Sequence, residues 1–171
     1  DASEVRRLRE VAGILSGQLT DIEKIDSTCW ILFDNNDLAP FHSENYRFLL
    51  AHRKQFSQQV GQEKVDRRLG MLYTGVLSSI VWGRDTKTTF ADVQEIGKVI
   101  RTLKTDDKKR LLAYVSLANA YKEKNTSELL KISKKAFPVF SDADVMMMVM
   151  PVSVYFRTQE DTAALREFIQ V

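Results

Sequence analysis

Few side chains in this sequence have the type and spacing that chemistry needs. His42 and His52 are the only imidazoles, and no His-Glu-x-x-His or histidine–cysteine cluster surrounds them, as a metal site or an acid–base pair would require. His42 falls in a loop and His52 on the polar side of a helical pattern, so surface or capping roles are expected. Cys29 is the only cysteine, which excludes an internal disulfide framework, a Cys-x-x-Cys redox pair and a cysteine-rich zinc site. Beside Trp30 and Ile31 it reads as a buried, inert thiol, a small hydrophobe in such surroundings. The alternative, a thiol that a redox domain engages, needs exposure and a lowered pKa. Asp34-Asn35-Asn36-Asp37 offers oxygen ligands, but the glycine and distal glutamate of a calcium-binding hand are missing, and a helix stop is the stronger reading. The glycines stand singly and form no phosphate-cradling loop. No catalytic, cofactor-binding or metal-ligating residue is expected.

What remains is surface chemistry. Met146, Met147, Met148 and Met150 cluster within Val145 to Phe156, a run apolar on nearly every face. Methionines can form a pliant partner surface. Here the flanking valines and aromatics favour buried packing, because a helix with no polar face is a buried one. This stretch is therefore expected to be the best-covered element of the fold. Tyr46, Tyr73, Trp82, Tyr114 and Tyr121 are candidates to line a partner groove, on the condition that they are exposed; most of them are expected in the core.

The bulk properties agree with a packed helical protein. The chain has 171 residues, 44% hydrophobic and 28% charged, enough to bury a core and too apolar for disorder. Its 25 basic and 23 acidic side chains leave a formal charge of +2 with no basic block, which argues against nucleic acid or an anionic membrane as partner. No stretch reaches the roughly 20 apolar residues that span a bilayer; Pro151 and Ser153 interrupt the most apolar run. The chain opens at Asp1 with neither a methionine nor an apolar signal core, as a mature or excised product would.

The elements that must position these residues are helices throughout. Val5, Leu8, Ala12 and Leu15 form one apolar stripe behind a Ser3 cap. Asp26 or Ser27 starts a second helix through Trp30, Ile31 and Phe33. Behind Ser43 a third helix carries Tyr46, Leu49, Leu50, Arg53 and Phe56 along one side, and Gly61 ends it. A fourth runs from Gln62 to about Trp82 through Val65, Leu69, Leu72, Val76 and Ile80. Thr88 or Thr89 caps a fifth, with Phe90, Val93, Ile96, Ile100 and Leu103 inward. Asp106 and Asp107 open a sixth through Leu111, Tyr114, Val115, Ala118 and Tyr121. Asn125-Thr126 turns the chain into a seventh with Leu129, Ile132, Ser133, Ala136 and Phe137, closed by Pro138. Ser141 or Asp142 caps the eighth, which Pro151 kinks or ends. Ala164, Leu165, Phe168 and Ile169 form a short last helix.

Two resemblances follow from these residues. In the sixth and seventh helices, Tyr114, Leu117, Ala118 and Tyr121 are followed after a turn by Leu129, Ala136 and Phe137. This order of large and small positions resembles a degenerate tetratricopeptide repeat, with departures at Leu129, at the shortened turn and at the early Pro138. The fold it implies is all-α: stacked antiparallel helix hairpins in a tetratricopeptide-like right-handed superhelix.

The second resemblance covers Cys29 to about Tyr73. Trp30, Leu32 and Phe33 precede a polar loop and a serine, then Phe48, Leu49 and Phe56, then Gly61 and Val65. This pattern is similar to the helical region that follows the thioredoxin fold in exported thioredoxin-family proteins of Bacteroidetes-type bacteria. The thioredoxin fold and its paired cysteines are absent, so no redox activity carries over. The resemblance implies a periplasmic or cell-envelope location and a partner that is a protein or the chain's own upstream thioredoxin-like domain. The expected organisation is a single helical domain over residues 1–171, with 1–25 a linker or capping helix and 26–171 the hairpin array. The expected function is a non-catalytic interaction module; the alternative is a structural spacer or oligomerisation domain without a peptide ligand.

Overall fold

The structure, a computed structural model, describes residues 46–170 other than Phe48. The expected helices around Val5 to Leu15 and Trp30 lie outside the described residues, as do Cys29, His42 and Asp34 to Asp37. Within them, all regular structure is helical. The helices are α1 (Arg53–Val60), α2 (Gln62–Val81), α3 (Phe90–Thr102), α4 (Lys108–Lys122), α5 (Thr126–Ala136), α6 (Asp142–Thr158) and α7 (Thr162–Ile169), with a 3₁₀ turn at Phe137–Val139. The all-α expectation therefore holds for this part of the chain.

The chain divides into two compact units. Of the described residues, those up to Val76 together with Leu103–Thr105 form the first, and Leu77–Thr102 with those from Asp106 onward form the second.

In the first unit the expected third helix is broken at His52, whose φ of −103° and ψ of 11° leave the helical range. Helical backbone at positions 46, 47 and 49–51 thus precedes α1 as a separate piece. Gly61, at φ +93°, ends α1 and returns its N–H to the Ser57 carbonyl at 3.0 Å. A side chain is disfavoured at that dihedral. Leu49, Phe56, Val65, Leu69 and Leu72 pack as the core, with the Tyr46 ring tilted against Tyr73 at 5.1 Å. One charge is buried with them. Asp66 has no solvent exposure, and its carboxylate accepts from Arg53 Nε at 2.7 Å, from Arg53 Nη2 at 2.8 Å and from the Lys104 N–H at 2.7 Å.

In the second unit local side-chain chemistry sets most helix starts. Asp85 folds the loop behind α2 by accepting from the N–H groups of Lys87 and Thr88 and from the Thr88 hydroxyl. Thr89 and Asp92 form a reciprocal cap: Thr89 Oγ1 accepts the Asp92 N–H at 3.2 Å and Asp92 Oδ2 accepts the Thr89 N–H at 2.8 Å. Asn125 caps α5 through the Glu128 N–H, and Asp161 caps α7 through the Ala164 N–H. Phe90, expected inward, is 41% exposed, because it is the first residue of α3 and the buried stripe begins one turn later at Val93.

Helix α3 packs on α4, α4 on α5, and α7 on both α5 and α6. The α3–α4 approach is close: a Cβ built on Gly97 would stand 3.2 Å from Val115 Cγ1. The expectation that α6 is covered on all sides is overturned. One face is buried through Met148, Pro151, Val152, Tyr155 and Phe156, and the other carries exposed methionines and valines. Burial follows from what packs against a helix, and the helices that reach α6 in this unit meet one face only. Pro151 sits inside α6 without ending it.

Candidate interaction surface

Helix α6 is fixed at its start by a capping box. Ser141 Oγ accepts the Asp144 N–H at 3.3 Å, and Asp144 Oδ2 accepts the Ser141 N–H at 3.1 Å and its hydroxyl at 2.6 Å. The same carboxylate reaches α4, where Oδ1 accepts from Tyr114 Oη at 2.7 Å and from Arg110 Nη1 at 2.9 Å. Burial alone would raise the Asp144 pKa. The hydrogen bonds from Ser141 and Tyr114 and the Arg110 charge outweigh it, and the net shift is downward. Tyr114 moves upward, first through burial and then through its bond to the Asp144 carboxylate. Further along, the Tyr155 ring of α6 lies tilted at 5.1 Å from Tyr121 of α4. Phe156 meets Phe168 of α7 at 5.5 Å. These contacts set the rotation of α6 and so decide which side faces outward.

The outward side is apolar. At 3.6 residues per turn, Val149, Met146, Met150, Val154 and Met147 fall on one continuous arc, opposite the buried stripe. They are 38%, 79%, 59%, 38% and 37% exposed, respectively. The polar residues on that arc are Asp142 at the first turn, Ser153, and Arg157 in the last turn. Beside the arc lies a cleft of about 380 Å³ between the 3₁₀ turn, α6 and α7. Phe137, Pro138, Val145, Val149, Ser153, Phe168 and Ile169 line it. None of these side chains is ionisable, so general acid–base catalysis has no group to work with there. Ser153 has no partner in the lining to activate it as a nucleophile. The cleft can take up apolar side chains, each gaining about 25 cal/mol per Å² removed from water.

The aromatic residues named as groove candidates on condition of exposure divide between buried and partly exposed positions. Tyr46, Tyr73 and Tyr114 are buried and are unavailable to a partner. Tyr114 stacks against Phe140 at 4.7 Å. Tyr121 and Trp82 are partly exposed. Tyr121 sends its hydroxyl toward Gly83, 3.0 Å from where a Cβ would stand, and Trp82 lies under the Arg84 guanidinium at 4.8 Å. The methionine cluster, expected to be buried, is buried only at Met148. Its all-round apolar sequence favoured a core helix and is also compatible with a partner surface. Among the described residues no group of three histidine, cysteine or acidic side chains is placed to hold a metal ion, and no helix is long and apolar enough to cross a membrane.

No protein-family model, curated protein or solved structure matches the chain.

Proposed function

We propose that this chain is a non-catalytic helical interaction module whose working surface is the exposed face of α6 with the cleft beside it. One observation carries this: Met146, Met147, Val149, Met150 and Val154 form a contiguous apolar face open to solvent. Monomeric proteins rarely leave so many adjacent large apolar side chains uncovered unless the surface binds something. Methionines suit the task because their unbranched side chains adapt to a partner's shape. With Ser153 the only polar side chain in its lining, the cleft offers little to the backbone of an extended peptide. It fits the apolar stripe of a helix.

The wider reading is of an accessory part of a thioredoxin-like envelope protein, with helix hairpins arranged like tetratricopeptide repeats. The first part rests on the similarity of Cys29 to Tyr73 to that family. The second is supported by the contact of α4 with α5 across a short turn and by the buried Tyr114, Leu117, Ala118, Leu129 and Ala136.

Amphipathic helices selected from a displayed library on the full chain test the surface. Binders should lose about tenfold or more in affinity to Met150→Lys, a change of about 1.4 kcal/mol. Binders indifferent to both Met150→Lys and Val149→Lys would overturn the proposal.

A further inference from the structure

We infer that the α6 face is occupied by the same face of a second copy of this chain, packed antiparallel about a two-fold axis between Val149 and Met150. This rests on the reading of α6 as a docking surface and goes further by naming the occupant.

The charges point to it. Asp142 and Arg157 stand at opposite ends of the exposed arc, about 22 Å apart along the helix axis, and the midpoint between them falls between Val149 and Met150. Both are exposed. No ion pair or side-chain hydrogen bond of either is found among the described residues. An antiparallel pairing about that midpoint sets Asp142 of each copy against Arg157 of the other, at both ends of the contact. A parallel pairing would set Asp142 on Asp142 and Arg157 on Arg157, and like charges across an interface are strongly disfavoured.

Side-chain size agrees with the same register. Met146, the most exposed residue of the face, comes opposite Ser153, the small residue that lines the cleft. Val149 comes opposite Met150 on both sides of the axis. A long flexible side chain over a small one, with the apolar pairs at the centre and the charges at the rim, is how facing helices interdigitate. The correspondence between the two halves of one helix is the mark of a self-complementary, isologous contact, which closes at two copies. An unrelated peptide partner would require no such symmetry.

Sedimentation equilibrium of the full chain across the micromolar range tests this, with circular dichroism confirming that each variant is folded. The wild-type chain should dimerise, and Met150→Lys should remove the dimer. Asp142→Arg and Arg157→Asp should each weaken it about fivefold at low salt, and the double reversal should bring it back. A wild-type chain that stays monomeric, a dimer indifferent to Met150→Lys, or single reversals that the double variant does not rescue would each overturn the pairing. If the wild type is monomeric yet helix binders still depend on Met150, the docking surface stands and only its occupant is wrong. If neither dimer nor binder depends on Met150, both fall.

Discussion

The Tyr114 hydroxyl donates to Asp144 at 2.7 Å, and through that bond a core residue of α4 holds the first turn of α6. The carboxylate also closes the capping box of its own helix, so one buried side chain sets both where α6 begins and how it is anchored. Hydrogen bonds to a charged group contribute about 1.5–3 kcal/mol. Tyr114→Phe is expected to lower stability by about 2 kcal/mol in urea denaturation.

The same carboxylate predicts an acid limb. Its pKa is lower in the folded chain than its ordinary 3.8. Its contribution is therefore fully present above that ordinary value and is lost as pH falls through the lowered folded one. Urea midpoints measured from about pH 5 down to about pH 2 should decline for the wild type and decline less for Asp144→Asn. An unchanged slope in the variant would show that Asp144 is not a source of the acid sensitivity.

Asp66 and Glu63 are neighbours on α2 with opposite expectations. Asp66 is wholly buried and gripped by Arg53 from two nitrogens, so Asp66→Ala strands a guanidinium and an amide and should cost about 3–5 kcal/mol. Glu63 pairs with Arg67 at 3.0 Å with both side chains well exposed, and Glu63→Ala should cost less than about 1 kcal/mol. Equal effects in chemical denaturation would contradict the burial assigned to Asp66.

Two methionines of one helix separate core from surface. Met148 is fully buried, and Met148→Ala should cost about 2–4 kcal/mol through the cavity it leaves. Met150 is 59% exposed, and Met150→Ala should change the stability of the isolated chain by no more than about 0.5 kcal/mol.

Local signals in the sequence were legible, and tertiary ones were not. Ser141, Asn125 and Gly61 announce helix ends through their own hydrogen bonds or backbone freedom, and each acts as expected. Helix α6 shows where this stops. Periodicity locates a covered face only when the other face is polar, and Val145 to Phe156 offers no such contrast; Tyr121, Tyr155 and Phe168 choose the face instead. The cleft joins Phe137 to Phe168, which meet at 5.4 Å although many residues separate them in the chain. Asp66 looks like any surface acid of an amphipathic helix until Arg53 and Lys104 close on it. The break at His52 carries no glycine or proline to announce it.

The most direct measurement is the concentration dependence of the methionine methyl resonances of the full chain. With increasing concentration, the methyls of Met146 and Met150 should shift or broaden while that of Met148 stays fixed. Filtered cross-peaks between Met146 of one copy and Ser153 of another should appear as they do so. Resonances of Met146 and Met150 that remain sharp and unmoved at every concentration would contradict the account.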